Sequence, residues 1–421
     1  MAPQHLIVIG GGITGVTSAY TLAQQGHRVT LVEKNRYAGM ETSYANGGQL
    51  SASNAEVWTH PSTLVKGIKW MLKNDAPLLM NPKPSWHKLS WMAEFVANIP
   101  KYRDNTIATT RLAIAARQHL FAWAQAEGID FDLKREGILH IYRDKAGFDH
   151  AGEVSKLLAA GGLPRRAVTP TEMRAIEPTL HGDFYGGYFT ESDSTGDIHK
   201  FTHGLGLACE RLGVRFLTGD AVQSVSSDGQ AARVVLASGE TLQADAVVVC
   251  AGVRSRALAA QLGDRLNVYP VKGYSITVHL NDEASQAAAP TVSLLDDATK
   301  LVTSRLGTDR FRVAGTAEFN GYTLDIRADR IRPLTDWVNQ CFPGVSTRRA
   351  EPWAGLRPMM PDMLPRVGAG KKANVFYNTG HGHLGWTLSA ITAHQLGAHV
   401  AQWAQGSAGA RIRLSPASAS A

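Results

Sequence analysis

An α/β fold, built as an α+β composite in which a second domain is inserted into a discontinuous nucleotide-binding domain, is predicted from three observations. The chain opens with an apolar strand, a glycine turn, a helix and a second strand that ends in an acid. A buried strand with a small turn recurs at Ala244 to Gly252, after a long interruption. From Asn378 a glycine-rich loop leads into a helix with one apolar face, which closes the chain.

The first element, Leu6-Ile7-Val8-Ile9, is a short continuous apolar run, as expected of a parallel strand covered on both faces. Gly10, Gly12 and Gly15 then fall in the G-x-G-x-x-G pattern, with Ile13 and Thr14 between them. Val16 to Gln25 has helical spacing and stops at Gly26. A second strand, Arg28 to Val32, delivers Glu33 and Lys34, with seventeen residues between Gly15 and Glu33. The glycines allow a tight turn and close approach of a pyrophosphate to the helix N-terminus, while Glu33 accepts bonds from ribose hydroxyls. An acid there disfavours a 2′-phosphate, which leaves the adenosine diphosphate moiety of FAD or NAD. Ile9, Gly10, Gly12, Ile13, Thr14, Gly15, Glu33 and Lys34 are the first candidate cofactor contacts.

A length of 421 residues suits two domains, and 44% hydrophobic with 19% charged residues describes a folded enzyme rather than a disordered chain. The net charge of +7 is scattered in short clusters such as Arg165-Arg166, which disfavours a nucleic-acid stripe. Cys209, Cys250 and Cys341 lie far apart, so neither a disulfide framework nor a zinc site is indicated. The first residues lack a basic signal-peptide region, and no apolar run reaches the ~20 residues needed to span a bilayer, so a cytoplasmic location is expected.

Met40 to Ser51 is small, polar and glycine-rich; the hydroxyls and amides of Thr42, Ser43, Asn46, Gly47 and Gln49 suit a phosphate or a flavin edge. A helix over 197–212 and strands at 214–217 and 221–225 precede the strand at 244–252, adding Val222, Ala251 and Gly252 to the candidates. A nucleotide domain that resumes after an insertion in this way is typical of FAD proteins.

These motifs carry a resemblance. Val-Ile-Gly-Gly-Gly-Ile-Thr-Gly, Glu-Thr-Ser-x-Ala-Asn-x-Gly-Gln from residue 41, Lys66 to Met71, Thr195-Gly196-Asp197, Tyr269 to Ser275, Trp353 to Met359 and the loop 378–387 occur in order along nearly the whole length. The chain resembles the FAD-dependent D-amino-acid dehydrogenases of the small-subunit type, within the D-amino-acid oxidase and glycine oxidase superfamily. The resemblance implies oxidation of a D-amino acid to a 2-oxo acid and ammonia by hydride transfer from Cα to FAD, with electrons passed to a quinone or other respiratory acceptor. An oxidase that uses oxygen directly, and a dehydrogenase of cyclic D-proline or hydroxyproline substrates, are the competing readings. Some members attach FAD through a histidine near the second glycine motif or a C-terminal cysteine; no such residue stands in either place, so the FAD is expected to be non-covalent.

Amino-acid oxidation needs a clamp for the substrate carboxylate, and a planar guanidinium suits it. Arg357 aligns with the carboxylate-binding arginine of the glycine oxidase branch, against the alternative of an interdomain salt bridge; Arg305 is a second candidate. The Tyr274 hydroxyl either bonds that carboxylate or is an ordinary core group. In the closing loop, Gly380, Gly382, Leu384, Gly385, Trp386 and Thr387 are expected to bring backbone amides and a helix N-terminus to the flavin. His381, also a catalytic candidate, and His383 would flank the ring or pocket. No metal is expected, because nothing near the His-x-His pair completes a zinc sphere.

Residues 57–100 hold Trp58, Trp70, Trp86 and Trp91 among Lys66, Lys69, Lys73, Lys83 and Lys88. Such a basic aromatic segment suits peripheral contact with an anionic membrane, a lid, or a partner surface. His140 reads as a half-buried strand residue, Thr195 and Asp197 as helix-capping types, and the tail after Gly406 as frayed. The expected partition is 1–56, 185–267 and 350–421 for FAD, and 57–184 and 268–349 for substrate.

Overall fold

The computed structural model describes residues 3–63 and 77–413, with side chains to residue 406. Its first sheet has six strands in the order 366–369, 375–379, 246–249, 5–9, 28–33 and 215–218. All neighbours pair in parallel except the antiparallel edge pair 366–369 and 375–379. Alternate residues of His5–Ile9 face opposite layers: Leu6 and Val8 join a core with the helices Ile13–Gln24, Ile198–Arg211 and Gly385–Arg413, whereas Ile7 and Ile9 meet the three-stranded sheet over 222–244 and the helix Ser255–Gln261. Burial on both faces explains why this strand is uniformly apolar.

A second sheet of nine strands is mostly antiparallel, with parallel pairings of Ser293–Asp296 to Ile138–Tyr142 and of Leu78–Met80 to Arg310–Phe319. Its outer face packs on the helix Ala328–Cys341 through Tyr274, Ile276, Phe311, Trp337 and Phe342. Its other face looks toward the nucleotide-binding sheet across a cavity.

Two strands depart from the expected partition. Gly186–Thr190 and Glu351–Met359 pair within the nine-stranded sheet, not with the nucleotide-binding portions to which 185–267 and 350–421 were assigned. Short apolar strands of the two sheets look alike in sequence, and only their partners distinguish them.

Asp197 caps its helix by accepting from the amides of His199 and Lys200, whereas Thr195 lies in a two-strand ladder with Gln49. The C-terminal helix runs on to Arg413, seven residues past the expected fraying point at Gly406. Lys66, Lys69, Trp70 and Lys73 lie outside the described residues. Around them the aromatic segment divides. Trp91 is buried and donates its indole N–H to the Met359 carbonyl, and Lys88 is buried on the carbonyls of Asn81 and Lys83, whereas Trp86, 81% exposed, faces outward.

Candidate functional site

The cavity between the sheets measures about 980 Å³, at the upper end of the roughly 300–1,000 Å³ usual for small-molecule sites. Every expected cofactor contact lines it except Gly15. Gly15 instead lets the first helix cross the first strand: a Cβ there would lie 1.8 Å from the Gly10 carbonyl oxygen. Gly10 itself has φ +108°, open to glycine alone, and a Cβ would meet the Cys250 carbonyl at 2.6 Å.

The residues fit a dinucleotide. No side chain caps the start of helix Ile13–Gln24 at Gly12, so its positive end is turned to the cavity with only the Ser43 hydroxyl at the Ile13 amide, 3.0 Å away. A Cβ on Gly12 would find only Ser43 Oγ, at 3.6 Å, so that side is a bare backbone cradle. Glu33 stands at the strand end, its Oε2 taking the Gly11 amide at 2.6 Å and its Oε1 taking Asn35. Lys34 pairs with Glu41 beside it. The segment 42–49 is pinned against the second sheet: the Ser304 hydroxyl donates to Gly47 O, Gln49 Nε2 reaches Leu294 O and the Thr42 hydroxyl reaches Leu356 O. Asn46 turns this segment by accepting the Gly48 amide.

The loop 380–387 forms another wall. Gly380 and Gly382 have φ +79° and +60°. His381 is buried; its Nε2 lies 2.9 Å from the Thr392 hydroxyl, which itself reaches the Leu388 carbonyl, so the ring N–H donates. Burial drives its pKa down to about 3. His383 donates from Nε2 to Asn54 O at 3.2 Å and stacks on Trp58 with centroids 5.1 Å apart. Burial, and the nearby charge of Arg357, push its pKa down to about 4. Both imidazoles are therefore neutral and tethered, and they point to different partners. His381, expected as a catalytic candidate, lines the cavity, but its Nε2 is committed to Thr392 and burial keeps the ring neutral, so it enters the wall as an uncharged group.

Three arginine and tyrosine candidates separate clearly. Arg357 faces the cavity from the strand Glu351–Met359, donating from Nη1 to the Thr316 carbonyl at 2.9 Å. Burial lowers its pKa to about 10, which leaves it charged at neutral pH. Among the described residues it has no carboxylate partner. Thr316 holds φ +55°, a strained value for a β-branched residue, at a bulge between strands 269–279 and 310–319. That turn aims its carbonyl at the guanidinium.

Tyr274 and Arg305 do not share this place, and strand alternation is the reason. Gly273 and Ser275 face the cavity side, where the Ser275 hydroxyl donates to Ala45 O, while Tyr274 points to the opposite layer and donates to Glu318 Oε2 at 2.7 Å beside buried Lys272. Tyr274 thus keeps only an edge at the cavity, and its hydroxyl is not directed to a substrate carboxylate. Along Leu301–Leu306, Val302 and Ser304 approach Gly47 and Gly48, so Arg305 turns away and donates to the carbonyls of Gln286, Ala289 and Thr308. It ties down a helix end far from the site.

Sequence reasoning overlooked Glu56, Thr316 and Gly273 as site residues, all of which line the cavity, and Trp58 of the aromatic segment lines it too. His140 is fully buried rather than half-buried; its Nε2 lies 2.8 Å from Ser53 Oγ, which with Asp193 fixes the segment 51–54 beside His383.

A dinucleotide cradle continuous with a cavity that holds a guanidinium without a carboxylate partner among the described residues points to an oxidoreductase of the flavin-binding α/β type. Residues 5–399 match the family described as FAD dependent oxidoreductase (DAO). The chain belongs to the DAO family of FAD-dependent oxidoreductases. It is 63% identical to D-amino acid dehydrogenase 3 of Mesorhizobium japonicum, covering 94% of this chain and 97% of that one. It is 43% identical to the D-amino acid dehydrogenase of Paramagnetospirillum magneticum, over 91% of this chain and 92% of the relative. Glycine oxidase from Geobacillus kaustophilus shares the fold with a TM-score of 0.72 at 21% identity, over 95% of both chains.

Proposed function

We propose that this chain is a D-amino-acid dehydrogenase that converts its substrate to a 2-oxo acid and ammonia and hands the electrons to a quinone or another respiratory acceptor. The observation that carries the reading is Arg357: a cavity-facing, charged guanidinium without a carboxylate partner, beside a dinucleotide cradle. Its planar fork takes both oxygens of the substrate carboxylate and so fixes the orientation of Cα. FAD, held without a covalent link by Gly10, Gly12, Glu33, the segment 42–49 and the loop 380–387, supplies a two-electron acceptor for the hydride on Cα. The amine must be neutral when that hydride leaves, and neither His381 nor His383 opposes its deprotonation with a charge, since both stay neutral at physiological pH. The 380s helix start, Gly385–Trp386–Thr387, turns its positive end to the same cavity and favours an anionic reduced cofactor.

The acceptor and the location belong to the same proposal. No helix among the described residues is long and apolar enough to cross a membrane. Trp86, Leu89 and Val96 are exposed on the helix Trp86–Ala97, which supports peripheral contact at the cytoplasmic face of a membrane that carries a quinone. The relatives, which are D-amino acid dehydrogenases by name, support a D-amino-acid substrate.

Anaerobic flavin bleaching with matched D- and L-amino acids, D-proline included, tests the substrate class. Bleaching by D-enantiomers alone is expected; bleaching by L-enantiomers alone would sink the reading. Comparing peroxide release with reduction of a quinone analogue then separates a dehydrogenase from an oxidase, and stoichiometric peroxide at a comparable rate would favour the oxidase.

A further inference from the structure

Beyond the guanidinium and the dinucleotide cradle, the cavity has a third polar region that the reaction does not use. Glu56, His60 and His150 line it. The Tyr102 hydroxyl donates to Glu56 Oε1 at 2.6 Å, and His150 Nε2 stands 3.9 Å from the same oxygen, beyond hydrogen-bond reach. His60 packs between them, its ring centroid 4.8 Å from Tyr102 and 5.6 Å from His150.

The other carboxylates of the cavity wall are matched. Glu41 pairs with Lys34, Asp297 with Lys300, and Glu33 accepts from Gly11 and Asn35. Glu56 differs: among the described residues it has no lysine or arginine partner, and its Oε2 receives no hydrogen bond. Its side chain is 31% exposed. Arg357 is the opposite case, a guanidinium without a carboxylate.

A short stretch of chain joins the two. His383, which feels the charge of Arg357, donates to Asn54 O and stacks on Trp58, so His383 links the segment 54–58 to the same cavity wall that Arg357 lines. Glu56 is two residues from Asn54, at most ~7 Å of extended chain.

We propose that Glu56 is a side-chain subsite that selects D-amino acids with a cationic side chain of lysine type: the α-carboxylate lies on Arg357 and the side-chain cation on Glu56 Oε2. The inference rests on the D-amino-acid reading above. A half-buried carboxylate without a lysine or arginine partner gains more from an ammonium than from an apolar chain of equal length, which would strip water from it without replacement.

The test uses the flavin-loaded enzyme with a quinone analogue and compares kcat/KM for D-lysine, D-norleucine and D-alanine. D-norleucine has the same chain length and no charge. D-lysine is expected to exceed D-norleucine by at least about tenfold, carried mainly by KM, as for a site built to bond a polar group. In Glu56→Gln that ratio should fall toward one, and Glu56→Asp should retain part of it. Equal kcat/KM for the two substrates in the wild type would overturn the subsite without any variant, as would a ratio unchanged in a flavin-loaded Glu56→Gln. Oxidation of D-alanine and D-norleucine without a D-lysine preference removes the subsite alone; failure of all three to reduce the flavin removes the underlying reading with it.

Discussion

Arg357 lays its guanidinium over the α-carbon of Gly273 on the neighbouring strand, so closely that a Cβ on Gly273 would lie 2.3 Å from Nη1. The two strands pair Gly273 with Gly355 and Val271 with Arg357, and the side chain folds back across that gap to reach Thr316 O. The placement of this guanidinium therefore depends on a residue with no side chain. Gly273→Ala should cost roughly tenfold or more in kcat/KM, and Arg357→Ala roughly a hundredfold or more, the scale of removing a charged hydrogen-bonding partner. Steady-state kinetics on preparations matched for flavin content would decide it; a Gly273→Ala enzyme with wild-type KM would show that the guanidinium does not need this position.

Tyr274→Phe should behave as a stability variant, not a catalytic one. It removes a hydroxyl that donates to buried Glu318, leaving that carboxylate short of a donor at a cost of about 1–3 kcal/mol. Thermal unfolding should move down while kcat/KM stays within about threefold. A large fall in kcat at unchanged Tm would instead return the hydroxyl to the substrate.

Acid should weaken the fold through the closing loop. The pKa values of His381 and His383 are depressed to about 3 and about 4, against about 6.5 in an unfolded chain. Below pH 6.5 the unfolded chain binds protons that the folded rings refuse, so stability is full above that pH and declines as pH falls toward 4. The loss is on the order of 2 kcal/mol per ring at pH 5. Denaturant unfolding at pH 7.5 and 5 in the wild type and in His381→Gln should show a smaller pH difference in the variant; equal differences would mean that the ring titrates normally.

Gly382→Val should harm flavin retention more than His383→Ala. Gly382 sits at φ +60°, and a Cβ would lie 2.9 Å from Met359 Sδ, so a β-branched residue is both strained and crowded. Flavin absorbance per chain after gel filtration measures this. Full flavin in Gly382→Val beside an empty His383→Ala would make the imidazole, not the backbone, the important element.

The local pattern of the nucleotide-binding half was readable because each element there carries its own signal: a continuous apolar strand, glycines whose backbone angles exclude other residues, and an acid at a fixed distance. Gly10, Gly12 and Glu33 needed no knowledge of their neighbours. The substrate half was harder, since function there is decided by which face of a strand a residue occupies. Tyr274 lies one residue from Gly273, and Arg305 one from Ser304, yet that single step sends each to the opposite layer. Register is set by partners distant in sequence, such as the bulge at Thr316. Glu56 was overlooked for the same reason, as its meaning depends on what the other carboxylates have paired with.

The Arg357 strand ends at Met359, which forms a backbone bridge to His381 and receives the Trp91 indole N–H. The proposed substrate clamp and the loop proposed to meet the cofactor are thus two ends of one continuous frame. For engineering, this makes the strand 351–359 and the loop 380–387 a single cassette. Transplanting the pocket of a relative without that loop would break the bridge, and the graft would bind its new substrate in a frame no longer aligned to the nucleotide.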